Sequence, residues 1–353
     1  MRKGRCILES MLMALLATGI CWSGQSVDST YAGEQTGTLE EVDPQWTFIY
    51  YLAADNEQEA YADNTIAQLV AGTEKVPNHP QILVLIDRLT VPGTAVFEVA
   101  GGEIIPLAND EEQNTAAGAV LQDFAAYALS LAANEHVAFV MKSEGLSWRG
   151  IGRDNTHEEL LPDQLMSNGD LAEALVAAQI SADMDVDLLV LEGSIMGFLE
   201  VVYELRDAAP VLLATQSKIQ PDGLPWEMVI EDLGATPDMS ASDLGIAITD
   251  NHIEYYSDKG NNGVPGLDTS TNFAAMTVFD LTHVEDVLAA HMAWAETTWL
   301  LFDEIYNVLP HARDLSEVGG FGEITDFDYN FDIRTFMEES LRLIALEGLD
   351  FPG

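Results

Sequence analysis

Carboxylates and a serine hydroxyl follow two of the most apolar segments of this 353-residue chain. Glu144 comes shortly after the segment 136–141, and Glu192 and Ser194 come directly after the segment 186–191. A serine hydroxyl acts as a nucleophile only when a nearby base removes its proton, and a carboxylate is such a base only where burial raises its pKa toward neutrality. Carboxylates without a catalytic role can instead bind a lysine or arginine side chain, or a cation. These residue types indicate either hydrolysis or the binding of a positively charged group.

The elements that must position these residues are apolar strands that alternate with helical segments. The predicted strands are 46–53, 81–87, 136–141, 186–191 and 211–215, and the predicted helices are 58–70, 116–132, 171–180 and 198–207. This alternation predicts an α/β fold with a mostly parallel sheet that helices cover on both faces. The carboxyl ends of parallel strands meet at one edge of the sheet. We therefore expect Glu144, Glu192 and Asp222, which follows the last of these strands, to lie close together.

Composition divides the chain into four regions. Residues 1–26 have a basic start and a short apolar core, which is typical of an export signal, and residues 27–43 form a polar linker. The α/β pattern predicts a domain over 44–235, followed by a mainly helical part over 236–353 that packs on it. We therefore expect an exported protein that is periplasmic, extracellular or attached to the cell surface.

Two compositional features exclude cysteine-based chemistry and nucleic-acid or anionic-membrane partners. Cys6 and Cys21 are the only cysteines and both lie in the predicted signal, so the mature chain would have no disulfide, no cysteine-bound zinc and no cysteine nucleophile. The chain has 59 Asp and Glu against 14 Lys and Arg, a net charge of −45. Such a surface repels nucleic-acid phosphates and anionic membranes. Basic peptide or protein segments are the partners that this charge favours.

Several motifs, in order along the chain, resemble the clostripain family of cysteine peptidases (peptidase family C11) over about residues 44–345. The motifs are WTFIYYLAADN at 46–56, ILVLIDR at 82–88, WRG at 148–150 followed by Asp154, MGFLEVVYELRD at 196–207, DGLPW at 222–226 and ITDFDY at 324–329. The resemblance implies the caspase-like αβα sandwich. Family members are often calcium-dependent, so calcium is the one cofactor that the resemblance suggests, without ligands that the sequence can assign.

The same resemblance implies where catalytic residues should lie. In the family a His-Gly follows one strand and an Asp-Ala-Cys follows the next. The His activates the Cys, and the acid two residues before the Cys is similar to a determinant of specificity for basic side chains. By position, the His falls on Glu144, the Cys on Ser194 and the acid on Glu192, while Gly145 and Gly193 keep the surrounding pattern. Both catalytic positions are therefore substituted.

These substitutions lead us to expect a peptidase homologue without peptidase activity, retained as a binding or regulatory module. Glu144, Glu192 and Asp222 would line an acidic pocket for Arg or Lys side chains. Two alternatives stay open: a hydrolase that uses Ser194 with an unusual base, and an exported structural protein without affinity for basic peptides. None of the seven histidines takes the dyad position, although His157 lies in the loop after the WRG motif and could fold back toward it.

Overall fold

The computed structural model describes residues 45–109, 111–157, 165–220, 222–256, 276–316 and 333–346. The chain forms two compact units, one within residues 25–282 and the other containing the described residues from His283 onward. The predicted signal, the predicted linker and the motif at 324–329 lie outside the described residues.

Among the described residues, the first unit is built on an eight-stranded sheet. Its strands are Trp46–Ala54 (β1), Gln81–Arg88 (β2), Ala95–Ala100 (β3), Glu103–Asn109 (β4), His136–Lys142 (β5), Leu188–Glu192 (β8), Val211–Ala214 (β9) and Thr277–Asp280 (β10). Their order across the sheet is β10-β9-β8-β5-β1-β2-β3-β4. The five central strands are parallel, and the outer strands β10, β3 and β4 pair antiparallel. A short antiparallel pair, Ile151–Arg153 (β6) and Leu165–Met166 (β7), forms a separate sheet.

Helices cover both faces of the large sheet. They are Glu59–Lys75 (α1), Gly118–Leu131 (α2), Asn168–Ala182 (α3), Leu199–Glu204 (α4), Trp226–Ala235 (α5) and Ala241–Tyr256 (α6). On one face, Tyr50 of β1 meets the ring of Trp226 edge-on, with centroids 5.2 Å apart, in a core shared with α1 and α6. On the other face, Tyr51 contacts Phe124 of α2, which packs against α3. Every residue of β1 is buried, because successive side chains point into two covered faces.

This architecture confirms the predicted α/β fold with a mostly parallel sheet. Two features differ from the sequence pattern. The strands β6 and β7 were not predicted, because segments of three and two residues are too short to show a period. The unit that contains the sheet also continues past residue 235, where the pattern suggested a boundary. Leu244 and Ile248 of α6 belong to its core, and β10 pairs with β9.

The second unit is helical where it is described. Its helices are Val284–Leu300 (α7), Phe302–Ile305 (α8), Leu309–Leu315 (α9) and Ile333–Leu346 (α10). Ile305, Val308 and Ile344 form its small apolar core. Helical structure is thus interrupted at Leu301 and again after Ile305. In neither unit do the described residues include a helix long and apolar enough to cross a lipid bilayer.

Candidate functional site

The loops after β5 and β8 meet at the carboxyl edge of the sheet. Lys142 and Glu192, the last residues of these two strands, are register partners. Beyond them the backbones approach so closely that only glycine fits. A Cβ on Gly145 would lie 2.6 Å from the carbonyl oxygen of Ser194, and a Cβ on Gly193 would lie 3.3 Å from the Cα of Gly145. The predicted site residues of both loops are therefore brought together.

The Glu192 carboxylate is fully engaged inside the protein. Its side chain is 0% exposed and forms an ion pair with Lys142, whose side chain is 5% exposed. The backbone N–H of Leu224 donates to Oε1 at 3.1 Å, and the indole N–H of Trp226 donates to Oε2 at 3.0 Å. A buried carboxylate needs such partners, because transferring an ion from water into the protein interior costs several kcal/mol of free energy. The sequence predicted that Glu192 would line a pocket for an Arg or Lys side chain; in the structure its cationic partner is a lysine of the same chain.

The segment 222–226, with sequence DGLPW, covers this ion pair. Gly223 has a φ of +76° and lies so close that a Cβ there would collide with both Glu192 and Lys142. The hydroxyl of Tyr256 donates to the carbonyl of Gly223 at 2.8 Å and holds the segment in place. Asp222 is half-buried, and its backbone carbonyl accepts a hydrogen bond of 3.3 Å from Asn64.

The negative charge of Glu192 and Asp222 acts on two tyrosines. Burial, followed by the Glu192 carboxylate, raises the pKa of Tyr50 well above its ordinary value. Burial, followed by the charge of Asp222, raises the pKa of Tyr256, with smaller effects from Tyr255 and Glu192. Both phenols therefore stay protonated near neutral pH, which keeps Tyr256 a hydrogen-bond donor to the covering segment.

Glu144 is paired within the chain as well. Its Oε2 lies 3.3 Å from Nη1 of Arg153, which belongs to β6, and about a third of the Glu144 side chain is exposed. The backbone N–H of Gly152 also donates to the carbonyl of Glu144 at 3.1 Å. Glu144 therefore already has a cationic partner within the chain.

Ser194 lies in a tight turn and contacts the loop after β9. Its Oγ accepts a hydrogen bond of 3.2 Å from the backbone N–H of Ile219. The next residue, Ile195, has a φ of +54°, which is rare for a β-branched side chain, and its N–H donates to the carbonyl of Ser217 at 2.8 Å. Within the described part of the chain, no imidazole or carboxylate is hydrogen-bonded to Ser194 Oγ.

Two histidines, one at the start of β5 and one after the WRG motif, are engaged with aspartates. His136 begins β5, at the amino end of the strand, and pairs with Asp187 at 3.5 Å. The ring Nδ1 of His157 lies 3.0 Å from Oδ1 of Asp154. Neither contact gives Ser194 a base.

Sequence reasoning missed two sets of residues. Lys142 ends β5, one residue beyond the predicted strand 136–141, and its alignment with Glu192 depends on a strand register that the sequence alone does not reveal. Three buried carboxylates, Asp55, Asp87 and Asp154, offer oxygen atoms within 4.8 Å of one another and could hold a metal ion. They lie in three of the recognised motifs, which is the signal that could have identified them.

Comparisons with known proteins agree with this fold. The profile of the clostripain family matches residues 50–309. A secreted C11 cysteine protease from Bacteroides thetaiotaomicron, solved with an irreversible peptide inhibitor, superposes with a TM-score of 0.63 at 20% identity, covering 84% of this chain and 78% of that one. No curated protein matches the chain at a significant level.

Two further crystal structures are similar. An inactive zymogen C11 protease from Parabacteroides distasonis gives a TM-score of 0.58 at 16% identity and covers 85% of this chain and 81% of its own. A second secreted C11 cysteine protease from Bacteroides thetaiotaomicron, called iotapain, gives 0.58 at 15% identity, with coverages of 86% and 85%. At these identities the likeness shows the fold, and it confirms the predicted caspase-like α/β architecture.

Proposed function

The chain belongs to the clostripain family, and from that premise we propose that it is a homologue of these peptidases that has lost peptide hydrolysis and keeps a binding role. The observation that supports this proposal is that all three key side chains are engaged within the chain. Glu144 pairs with Arg153, Glu192 pairs with Lys142, and Ser194 Oγ accepts from a backbone N–H.

Loss of hydrolysis follows from the position of the would-be nucleophile. Activation of a serine hydroxyl requires a base within hydrogen-bond reach that can later protonate the leaving amine. Ser194 has no such neighbour among the described residues, and the carboxylate at the family's histidine position, Glu144, is paired with a guanidinium. In this proposal Ser194 therefore lacks a base that is in position to activate it.

The binding role rests on the acidic character of the site and of the whole chain. Glu192, Glu144 and Asp222 all lie on segments at the carboxyl edge of the sheet. A net charge of −45 attracts basic segments over distances of roughly a Debye length. In this proposal a lysine or arginine of a partner reaches Glu192 only by displacing Lys142, so the internal lysine limits which partners bind.

Export completes the proposal. Residues 1–26 carry the pattern of a signal peptide, and the first of the similar structures is described as a secreted protease. A protein with this charge and no cysteine after residue 21 suits an oxidising exterior.

A serine-directed probe tests the loss of hydrolysis. Purified protein is incubated with a fluorophosphonate, and the peptide that contains Ser194 is examined by mass spectrometry, with an active serine hydrolase as the positive control. We expect no adduct at Ser194. Labelling that disappears in Ser194→Ala would overturn the proposal and support a serine-dependent hydrolase.

A further inference from the structure

Three buried aspartates gather at the carboxyl edge of the sheet, on different elements from Lys142 and Ser194. Asp55 directly follows β1, Asp87 is the penultimate residue of β2, and Asp154 directly follows β6. Their exposed fractions are 0%, 0% and 3%, and one ligand oxygen from each lies within 4.8 Å of the others. Like charges held this close, away from water, repel one another strongly.

Some of these oxygens have protein donors. The hydroxyl of Thr115 donates to Asp87 Oδ2 at 2.9 Å, and the Thr115 N–H donates to Asp154 Oδ2 at 2.8 Å. The N–H of Thr156 donates to Asp55 Oδ2 at 2.9 Å. On Asp55 and Asp87 these donors reach one oxygen only, whereas Asp154 also accepts at Oδ1, from the backbone N–H of His157 at 3.0 Å.

The remaining oxygens provide a second, independent observation. Asp55 Oδ1 and Asp87 Oδ1 are buried and have no hydrogen-bond partner. Two more buried oxygens nearby share this condition: Oδ1 of Asn155, next in the chain to Asp154, and Oε1 of Glu112, whose charge acts on Asp87. Leaving a buried carboxylate oxygen unpaired is costly, and each such atom calls for an explanation.

Burial and the neighbouring acids both disfavour the charged form of these aspartates. Burial is the main cause that raises the pKa of Asp87 to about 8, with Glu112, Asp154 and Asp55 adding to it. Burial also raises the pKa of Asp154, although the bond to His157 opposes the rise.

We propose that Asp55, Asp87 and Asp154 form a binding site for one divalent cation, and that calcium fits it best. The offered ligands are oxygens alone, which hard cations prefer and zinc does not. Calcium typically binds about six to eight oxygen ligands at variable angles, whereas magnesium requires an octahedral arrangement of ligands at shorter metal–oxygen distances. Carboxylates from three separate segments, with amide and water oxygens to complete the shell, suit the larger and more tolerant ion.

The ion would connect parts of the chain that are distant in sequence. Asp154 follows Arg153, the residue that pairs with Glu144, so a cation held by Asp154 would fix the β6 segment beside the candidate site. This inference does not depend on the loss of hydrolysis, because the cluster contains neither Glu144 nor Ser194.

Metal-dependent stability and lanthanide luminescence test the site directly. Chelator-treated protein is melted with and without 2 mM Ca²⁺ or Mg²⁺, and Tb³⁺ emission is excited through aromatic residues such as Tyr51, whose hydroxyl donates to the Thr115 carbonyl at 3.0 Å. We expect Ca²⁺ to raise the melting temperature by about 5–10 °C, a shift typical of a ligand present at roughly one hundred times its dissociation constant. Mg²⁺ should act less, and Ca²⁺ should displace one tightly bound Tb³⁺ per chain.

The variant Asp87→Asn separates this site from general screening of an acidic surface. It keeps an oxygen that can accept from Thr115 and removes one buried charge, so the metal-free variant should be at least as stable as the wild type. Its response to Ca²⁺ should fall to that produced by surface screening, while Asp123→Asn, at an exposed acid, should respond as the wild type does. Equal Ca²⁺ responses in Asp87→Asn and Asp123→Asn, or Tb³⁺ binding without a saturable single site, would overturn the proposal.

Discussion

Lys142 and Glu192 end adjacent parallel strands, β5 and β8, in register, and their side chains form an ion pair that is almost completely buried. The pair places an ammonium group of the chain against the acid that, by family resemblance, would receive a basic side chain of a substrate. The backbone N–H of Leu224 and the indole N–H of Trp226 also donate to this carboxylate. The partners that the Glu192 carboxylate has among the described residues therefore all belong to the chain itself.

Removing the lysine should destabilise the fold. Lys142→Met leaves Glu192 as an uncompensated buried charge, and we expect a loss of about 3–5 kcal/mol in the free energy of unfolding, measured by urea denaturation. The double variant Lys142→Met/Glu192→Gln should recover most of that loss, because no charge then remains buried. Lys75→Met removes a lysine that pairs with Glu227 and Glu231 at the surface, and it should change stability little. Equal effects of the two single variants would show that the Lys142 pair is not buried in solution.

Gly223 should tolerate no side chain. In Gly223→Ala the new Cβ meets Glu192 and Lys142 in a backbone conformation with positive φ, and we expect a loss of at least about 2 kcal/mol in the free energy of unfolding. Gly101→Ala is the matched control, because Gly101 also has positive φ, at +56°, but no atom lies within 4 Å of its Cβ position. It should lose only about 1 kcal/mol, the cost of the φ angle alone. A Gly223→Ala variant as stable as Gly101→Ala would contradict the packing of segment 222–226 over the ion pair.

Acid should weaken the fold through His252. Burial lowers the pKa of this α6 residue from its ordinary 6.5 to about 4, so the unfolded chain binds a proton there before the folded chain does. Stability from this residue is therefore complete above pH 6.5 and is lost as pH falls toward 4, by about 3 kcal/mol in total. Unfolding of the wild type and of His252→Phe should be compared at each pH, with His283→Gln as the exposed control. If the pH profile of His252→Phe runs parallel to that of the wild type, the histidine is not buried in its neutral form.

Binding of basic peptides should increase when Lys142 is removed. A fluorescein-labelled peptide that ends in lysine should bind Lys142→Ala about tenfold more tightly than the wild type, by fluorescence anisotropy, because no internal ammonium then competes for Glu192. Lys75→Ala makes the same change in net charge and should bind as the wild type does. An equal gain in both variants would assign the affinity to net charge rather than to the site.

The sequence predicted the fold well because its signals were local. Runs such as QILVLID at 81–87 can be buried on both faces only as central strands, and the structure contains them as such. The sequence also predicted that Glu144, Glu192 and Ser194 lie at one edge of the sheet, since the carboxyl ends of parallel strands meet there. It missed the partner of Glu192, because the alignment of Lys142 with that residue is a property of strand register.

The acidic cluster was missed for a related reason. Asp55 and Asp87 are 32 residues apart in the sequence, at the ends of two different strands. Asp154 follows the short strand β6, which no periodicity in the sequence revealed. Each aspartate alone is an ordinary residue at the end of an apolar segment. Their mutual proximity, and the oxygens left without donors, exist only once the three segments are folded together.

Turnover of reporter peptides that end in arginine or lysine tests the central claim most directly. Four proteins are compared: the wild type, Ser194→Ala, Glu144→His/Ser194→Cys, and the same double variant with Lys142→Ala. We predict no turnover by the wild type or by Ser194→Ala. The triple variant should turn the reporter over faster than the double variant, because it has a base, a thiol and a Glu192 that no internal lysine occupies. Wild-type turnover that vanishes in Ser194→Ala would contradict the account and identify a serine-dependent hydrolase on this fold.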